Sequence, residues 1–495
     1  MRLFELLTGE ERLEGGEAGV DILRIISDSR SVGPRSLFAA LPGTKVDGAS
    51  FVPGALGAGA AAILAGEGAA LPDGIDVPVV RSADPRRSLA RMVARLHGPQ
   101  PGIAVAVTGT NGKTSVAAFT SQLWAALGRR SASIGTLGVT CEGPDGPVAP
   151  PPGVPDVRLT SPDPVTLHRA LQGLAAGGIG HVAVEASSHG LEQRRLDGVE
   201  FAGGAFTNIT RDHLDYHPGF EAYLAAKTRL FRVLLPEGGL AVVNLDGEGG
   251  AAVMEAAEAR GLRLLTHGRG AGDVRLAAVV PRPRGLDIAI EAEGRRHDVA
   301  LGLVGGFQAE NALTALCLAT AAGIPLAEII AVLPRLRGAR GRLEPAGVTR
   351  GGGAAFVDYA HTPDALRTAL KALRPHVAGR IVTVFGAGGD RDRGKRPLMG
   401  EAVAAFSDVA IVTDDNPRSE DPAAIRAEVR GGCPDAAEIG DRAEAIAAGL
   451  AMLAGGDALL VAGKGHETGQ EIAGRVHHFS DHEVIAEALG RSADE

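Results

Sequence analysis

The sequence predicts an α/β protein that is built on parallel sheets and divided into three domains. Short, continuously apolar runs alternate with alanine-rich runs of helical length, and each apolar run ends in a polar or glycine-rich loop. Such strands belong to a parallel sheet whose two faces are covered by helices. Two glycine-rich segments, 96–102 and 336–342, have the composition of linkers. They predict domains at 1–100, 101–337 and 338–495.

The composition argues against several classes of protein. Hydrophobic residues make up 45% and charged residues 22% of the 495 positions, as in globular proteins. A net charge of −9 argues against nucleic-acid binding. Three distant cysteines argue against a disulfide scaffold and a cysteine-rich zinc site. Because the sequence has no signal-peptide pattern and no apolar run of about 20 residues, we expect a cytoplasmic protein that does not insert into membranes.

Three apolar strands are predicted in the central region. They cover residues 103–107, 181–185 and 241–244, and a helix over about 114–127 follows the first. Ligands of parallel α/β sheets bind where the strands end at their carboxyl termini. The loops after these strands are therefore the first place to look for chemistry.

The C-terminal region repeats the pattern with apolar strands at 381–385, 409–412 and 458–462. Each strand is again followed by a polar or glycine-rich loop. The repetition predicts a second parallel sheet, in a Rossmann-like α/β domain.

The loop after the first central strand predicts a phosphate-binding site. Its glycines allow the backbone to wrap around phosphate, and the following helix N-terminus supplies partial positive charge. A lysine in this position can reach the β- and γ-phosphates, and a threonine hydroxyl can ligate Mg²⁺. The spacing is shorter than in the GxxxxGK[ST] pattern, and a simple glycine turn is the alternative. The residues are Gly109, Thr110, Asn111, Gly112, Lys113 and Thr114.

Three further features follow this loop along the chain. Glu185 ends the second strand, where a carboxylate could anchor Mg²⁺ or could simply be exposed. Residues 208–217 include two His and two Asp within six positions, which fits either a metal site or a solvated loop. Lys227 lies on a predicted helix, and nothing in its local sequence distinguishes it from a surface lysine.

Taken in order, these motifs make the chain similar to the Mur ligase family, the ATP-dependent amide-bond-forming enzymes of peptidoglycan precursor synthesis. The resemblance covers essentially the whole chain. It rests on Lys227 and on segments 109–114, 185–190, 208–217, 310–312, 341–344 and 358–363.

The resemblance implies a UDP-binding N-terminal α/β domain, a central P-loop ATPase domain and an amino-acid-binding C-terminal domain. It implies ATP as co-substrate on the 109–114 loop, with Asn311 near the adenine and Arg342 reaching the phosphates. It also implies Mg²⁺ held by Thr114 and Glu185, with a second ion near His213. In the family, the lysine that matches Lys227 is carbamylated and can ligate Mg²⁺. The resemblance assigns catalytic roles to Lys113, Glu185, His213 and Lys227.

The resemblance also implies a site for a UDP-sugar dipeptide. Two departures from the family pattern occur in it, because Ser161 replaces a second threonine and Leu159 replaces an asparagine. The matching residues are Ser27, Ser29, Thr44, Lys45, Val46, Thr160, Ser161, Ser187, Gln193 and Arg195.

A third implied site binds the amino acid that is added. The tetrad Asp-Asn-Pro-Arg at 415–418 is characteristic of family members that add meso-diaminopimelate rather than L-lysine. Arg418 can bind the distal carboxylate of diaminopimelate with two hydrogen bonds, whereas a lysine substrate would leave it unpaired. The matching residues are Arg391, Asp415, Asn416, Pro417, Arg418, Gly463 and Glu467.

The expected function is therefore ATP-dependent amide ligation on small-molecule substrates by a monomer that binds no nucleic acid. Three alternatives stay open. They are a ligase that adds L-lysine at the same step, a ligase resembling folylpolyglutamate synthetase, and a P-loop switch protein that binds nucleotide without ligation.

Overall fold

The structure, a computed structural model, describes residues 1–43, 46–210 and 216–490. It confirms the predicted α/β fold class, with large sheets that are mainly parallel. In these described segments, no helix has both the length and the apolar character needed to cross a lipid bilayer.

The chain forms two compact units, which are described separately. One comprises Met1–His267 with Thr314–Ile329, and the other comprises Gly268–Leu313 with Ile330–Glu495.

The first unit begins with a five-stranded sheet. Every residue of its strand Ser36–Ala40 is buried, and successive side chains join different cores. Leu37 and Ala39 pack with helix Pro85–His97, while Phe38 and Ala40 pack with helix Val52–Gly57. The strand is thus covered on both faces, as its continuous apolar pattern requires. In spatial order the strands are Glu11–Glu14, Val79–Ser82, Ala60–Gly66, Ser36–Ala40 and Arg24–Ile26, all parallel except the first.

The same unit contains the larger sheet that carries the predicted phosphate loop. Strand Ile103–Thr108 lies between His181–Glu185 and Phe201–Phe206 and is parallel to both. The three predicted central strands are confirmed, each within one residue of its expected bounds. The remaining strands of this unit are Leu240–Asn244 and Arg263–Gly268 on one side and Ser131–Gly135, Gly138–Gly143 and Gly146–Val148 on the other.

Two helices of the first unit begin after an aspartate that satisfies free backbone N–H groups of the first turn. Asp84 accepts a hydrogen bond from Arg87 N, and Asp163 accepts from Val165 N. Each aspartate is followed by a proline, whose fixed φ suits the first helical position. The helices that flank the larger sheet are Lys113–Ala126, Pro164–Ala176, Ser188–Glu192, Phe220–Arg229 and Gly250–Glu258.

The second unit contains an antiparallel meander and a six-stranded sheet. The meander consists of Val274–Arg282, Gly285–Ala292 and Arg295–Leu301. The C-terminal strands predicted from the sequence are confirmed at their expected bounds. In spatial order the six-stranded sheet contains Glu344–Val348, Ala354–Asp358, Ala458–Ala462, Ile381–Phe385, Val409–Val412 and Ala437–Glu438, parallel except for its first strand.

A hairpin of Gly469–Ile472 and Arg475–His478 follows this sheet. Helices Phe307–Ala319 and Leu326–Val332 contribute residues to both units. The other helices of the second unit are Pro363–Leu373, Lys395–Phe406, Pro422–Arg430, Arg442–Ala451 and Asp481–Ala488.

Candidate active site

The predicted phosphate loop lies between strand Ile103–Thr108 and helix Lys113–Ala126. Gly109 has a φ of 147° and Gly112 a φ of 87°, in the region that favours glycine. A Cβ atom on Gly109 would lie 1.9 Å from Thr207 Oγ1, so the loop has no room for another residue there. Bare backbone in front of a helix N-terminus is an arrangement that binds phosphate groups.

Two lysine side chains contact the phosphate loop. Lys113 Nζ donates to the carbonyls of Gly109 and Thr110 at 3.0 and 2.9 Å. Lys227 Nζ donates to the same Gly109 carbonyl at 2.7 Å and lies 4.4 Å from the centre of the Tyr223 ring. Lys227 is only 1% exposed, so it is not a surface lysine. The loop therefore has two positive charges beside it, which favours anionic phosphate.

Glu185 ends its strand as a buried carboxylate beside the phosphate loop. Its side chain is 2% exposed, and Oε2 accepts the Thr114 hydroxyl at 3.1 Å. Carboxylate and hydroxyl oxygens are the ligands that Mg²⁺ prefers, so Thr114 and Glu185 fit the predicted metal. Among the residues that the structure describes, no cluster of three or more His, Cys, Asp or Glu forms a metal site. Water and phosphate oxygens would complete the coordination, as Mg²⁺ commonly allows.

Thr136 holds the Glu185 carboxylate in place and Gly135 leaves room for it, and neither residue was predicted from the sequence. Thr136 donates its backbone N–H to Glu185 Oε1 at 2.8 Å and its hydroxyl to Oε2 at 3.2 Å. A Cβ atom on Gly135 would lie 2.1 Å from Glu185 Oε1. The signal that could have predicted them is a Gly-Thr pair at the end of strand Ser131–Gly135, which is the parallel neighbour of the strand that carries Glu185.

The structure brings five of the predicted substrate-binding residues together in one hydrogen-bonded group next to the main chain of Glu185. Ser161 Oγ donates to the Glu185 carbonyl at 2.8 Å and accepts the Ser187 N–H at 2.9 Å. Arg195 Nη1 donates to the Ser161 carbonyl at 2.6 Å, and Arg195 Nη2 donates to Gln193 Oε1 at 2.8 Å. The fifth residue, Thr160, joins the group through its hydroxyl, 3.0 Å from that of Thr136.

The beginning of the 208–217 segment is hydrogen-bonded to the phosphate loop. Asn208 Oδ1 accepts the Asn111 N–H at 3.0 Å, and the Asn208 carbonyl accepts the Thr110 N–H at 2.8 Å. These bonds fix the loop from the neighbouring strand. His213, the predicted ligand of a second metal ion, lies outside the described residues.

The predicted uridine and diphosphate residues lie on loops of the five-stranded sheet. Ser27 follows strand Arg24–Ile26, and Ser29 begins the helical turn after it. Val46 is 54% exposed after the neighbouring parallel strand Ser36–Ala40, so both loops lie at the same edge of the sheet. Thr44 and Lys45, predicted for the same loop, lie outside the described residues.

In the second unit, one glutamine links the two remaining residues predicted for ATP. Asn311 Nδ2 donates to Gln308 Oε1 at 2.9 Å, and Gln308 Nε2 donates to the Arg342 carbonyl at 3.3 Å. The Arg342 guanidinium lies 5.0 Å from the Tyr359 ring centre. Burial raises the pKa of Asp358, and this carboxyl group fixes the same turn by accepting the N–H of the residue after Arg342.

The tetrad predicted for diaminopimelate is held in place by two other loops. Arg418 has a φ of 54°, and its Nη1 donates to the Gly389 carbonyl at 2.8 Å. Asn416 Nδ2 donates to Glu467 Oε2 at 3.0 Å. A Cβ atom on Gly463 would lie 2.8 Å from Asp415 Oδ2. The structure thus brings Asp415, Asn416, Arg418, Gly463 and Glu467 together.

Arg391, the remaining predicted contact, is exposed on the loop after strand Ile381–Phe385. That loop meets the tetrad through Gly389, whose N–H donates to the Asn416 carbonyl at 2.9 Å. A Cβ atom on Gly389 would lie 1.9 Å from the Pro417 carbonyl oxygen. Arg391 is therefore two residues along the chain from Gly389, which contacts Asn416 and Pro417 of the tetrad.

Three families of Mur ligase domains match successive parts of the chain. Residues 22–96 match the Mur ligase family, catalytic domain; residues 107–319 match the Mur ligase middle domain; residues 341–465 match the Mur ligase, glutamate ligase domain.

The likeness to individual proteins extends over nearly the whole chain. The chain is 53% identical to the UDP-N-acetylmuramoyl-L-alanyl-D-glutamate–2,6-diaminopimelate ligase of Caulobacter vibrioides, over 94% of this chain and 95% of that protein. It is 51% identical to the ligase of the same name from Bradyrhizobium diazoefficiens, over 99% of both. A solved structure of a ligase of that name has a TM-score of 0.71 at 33% identity and covers 99% of both chains.

Proposed function

The chain belongs to the Mur ligase family, and on this basis we propose that it joins meso-2,6-diaminopimelate to UDP-N-acetylmuramoyl-L-alanyl-D-glutamate at the expense of ATP. The proposal places the protein in the cytoplasm, as a monomer, in the synthesis of peptidoglycan precursors. It assigns the UDP-sugar to residues 1–100, ATP to 101–337 and the amino acid to 338–495.

The observation that carries this proposal is the arrangement around Gly109. Lys113 and Lys227 both donate to its carbonyl, while Thr114 pairs with the buried Glu185 carboxylate. A site that only binds a nucleotide needs the loop and Lys113 but has no use for a second, buried lysine. A ligase that transfers the γ-phosphoryl group needs charge on both sides of that group.

We assign Mg²⁺ to Thr114 and Glu185, where it would neutralise charge on the transferred phosphoryl group. We also assign N6-carboxylation to Lys227. In that step the neutral amine adds to CO₂, so that an N–C bond forms and a proton is released. Two facts support it: Lys113 and Lys227 share one carbonyl as like charges, and Lys227 is excluded from solvent. Carboxylation would replace one of those positive charges with anionic oxygens that can ligate Mg²⁺.

The proposed reaction proceeds in two steps, in which the protein mainly positions groups and neutralises charge. First, the terminal D-glutamate carboxylate attacks the γ-phosphorus of ATP, which forms an acyl phosphate and releases ADP. The loop N–H groups and Lys113 hold the phosphates for this step. Second, the amine of diaminopimelate attacks the acyl carbon, the tetrahedral intermediate collapses, and phosphate and a proton leave. The product contains a new amide bond.

Selection of the amino acid is assigned to the tetrad. Arg418 is fixed through its Nη1, which donates to the Gly389 carbonyl, and through its Nε, which lies 3.3 Å from Glu471 Oε2. Its Nη2 group can therefore bind a distal carboxylate in a defined orientation. Asp415, 6% exposed, supplies a negative charge for the adjacent ammonium. L-lysine has no distal carboxylate and would leave the Arg418 Nη2 group without a substrate partner, which disfavours binding.

The test is phosphate release from ATP with UDP-N-acetylmuramoyl-L-alanyl-D-glutamate, with meso-diaminopimelate and L-lysine compared as acceptors. We expect phosphate release and a UDP-tripeptide mass with diaminopimelate only. Product with L-lysine alone would retain the ligase and refute the assignment of the tetrad. If neither acceptor reacted, folate-type acceptors would be tested next, and nucleotide binding without any ligation would indicate a switch protein.

A further inference from the structure

A lysine that the sequence analysis passed over lies at the centre of the proposed amino-acid site. Lys464 follows strand Ala458–Ala462, and its side chain is 0% exposed. Its ammonium lies 2.9 Å from Asn416 Oδ1, 3.5 Å from Glu467 Oε2 and 3.7 Å from Asp415 Oδ1. One buried cation therefore contacts three of the residues assigned to diaminopimelate.

Lysine is rare in this chain, so a buried lysine is unusual. Only six of its 50 basic Lys and Arg residues are lysines. A compact ammonium and a planar guanidinium are not interchangeable at a buried site. Three of the six are proposed site residues and Lys464 lies between two of them, Gly463 and Glu467, whereas Lys371 and Lys395 are the exceptions. The six are Lys45, Lys113, Lys227, Lys371, Lys395 and Lys464.

Lys464 also determines which way the Asn416 amide faces. An ammonium can only donate hydrogen bonds, so the atom it meets must be the amide oxygen. The backbone N–H of Glu471 donates to the same oxygen at 3.0 Å. The amide nitrogen consequently faces Glu467, to which it donates at 3.0 Å. Two donors thus fix the orientation of a side chain assigned to the substrate.

The charge of the cluster follows from the same contacts. Asp415 and Glu467 with Lys464 carry one net negative charge, and without Lys464 they would carry two. Behind them Arg442 and Asp481 form a neutral, fully buried pair at 2.7 Å. A distal group that contains both an ammonium and a carboxylate is neutral overall. A distal group that contains only an ammonium is favoured more strongly as the site becomes more negative.

We infer that Lys464 is a specificity-determining positioning residue, which orients Asn416 and Glu467 and disfavours acceptor amino acids that end in an ammonium alone. This inference rests on the proposed function. On this inference, the preference for diaminopimelate over L-lysine comes from Lys464 as well as from Arg418.

The test compares Lys464→Met with the wild type and with Lys371→Met, an exposed lysine of the same unit as the matched control. The values of kcat and KM are measured for meso-diaminopimelate, L-lysine, ATP and the UDP-substrate, together with the melting temperature. Because a hydrogen-bonded buried charge is lost, we expect K464M to raise the KM for diaminopimelate about 10- to 100-fold. The ratio of kcat/KM for diaminopimelate to that for L-lysine should fall at least about tenfold, with the KM for ATP unchanged.

A double variant separates charge from structure. In K464M/E467Q the cluster again carries one net negative charge, that of Asp415. The double variant also lacks the Glu467 carboxylate, which K464M would leave buried without its cation. It can therefore replace K464M in the test if K464M does not fold. It should recover part of the preference for diaminopimelate that K464M loses. If K464M, or the double variant in its place, lowers both kcat/KM values by one common factor, Lys464 is merely structural and the inference is wrong. A wild type that makes product with neither acceptor would instead refute the proposed function.

Discussion

Replacing Gly135 with alanine should disable the proposed metal site without disturbing the backbone. Gly135 is not among the residues with positive φ, so alanine is compatible with its local conformation. The new Cβ atom would lie 2.1 Å from Glu185 Oε1 and 2.4 Å from Cδ of the same carboxylate. The substitution therefore acts on Glu185 alone, from a position that was never predicted to contact a substrate.

The size of the effect follows from the required movement. Ordinary contacts between heavy atoms begin near about 3.5 Å, so the carboxylate must move by more than about 1 Å. A movement of that size breaks the hydrogen bonds of 2.8 and 3.2 Å from Thr136 and that of 3.1 Å from Thr114. Misplacement of a positioned group by about 1 Å can cost about 100-fold in rate, or about 2.7 kcal/mol of transition-state stabilisation.

The assay is phosphate release at increasing Mg²⁺ concentration with all three substrates present. We expect G135A to lower kcat/KM for ATP about 100-fold and to need more Mg²⁺ for half its maximal rate. The control is Gly180→Ala, because Gly180 precedes the strand that carries Glu185 and has nothing within 4 Å of its added Cβ. If G135A and G180A show the same Mg²⁺ dependence at equal melting temperature, Glu185 does not hold the metal.

Three further predictions concern Lys227, a buried ion pair and a buried histidine. K227A should abolish turnover, with partial recovery on addition of a short carboxylate such as acetate; full activity without additive would refute its carboxylation. D481A leaves Arg442 charged and buried, so the melting temperature should fall by about 6–20 °C, for a cost of about 3–5 kcal/mol, whereas D156A, in an exposed pair, should change it little. Burial lowers the pKa of His267 to about 4, so protonation favours the unfolded chain and stability is lost as pH falls from about 6.5 to 4. In a pH series of melting temperatures, H267Q should lose less stability than the wild type over that range, and an identical pH profile would contradict the argument.

The fold was predictable because its strands are short and apolar throughout. Strands His181–Glu185 and Ile381–Phe385 have the bounds expected from the sequence. A strand that is buried on both faces is apolar at every position, and this pattern can be read from the sequence without knowing which strands lie next to it. The phosphate loop was also predictable, because its two glycines and Lys113 lie within five positions of the chain.

The supports of the site were not predictable, because they come from distant parts of the chain. Thr136 and Ser161 contact Glu185 from 49 and 24 residues earlier in the chain, and neither has a local pattern of its own. The burial of Lys227 is a property of tertiary packing, and its sequence alone resembles that of an exposed helical lysine. Lys464 is adjacent to the predicted residue Gly463, yet its contact with Asn416 spans 48 residues of the chain.

The central position of strand Ile103–Thr108 has a consequence during protein synthesis. Both of its neighbours, His181–Glu185 and Phe201–Phe206, are made later, so the ribosome must add 77 residues after Thr108 to complete the first and 98 to complete the second. At about 5–20 residues per second, an apolar segment that ends in the phosphate loop has unpaired edges for roughly 4–20 s. During that interval the nascent chain offers other chains a template for strand pairing, and a chaperone that binds extended apolar segments would find its target here. The strand that later holds the phosphate loop thus needs protection in the nascent chain until its neighbours are made.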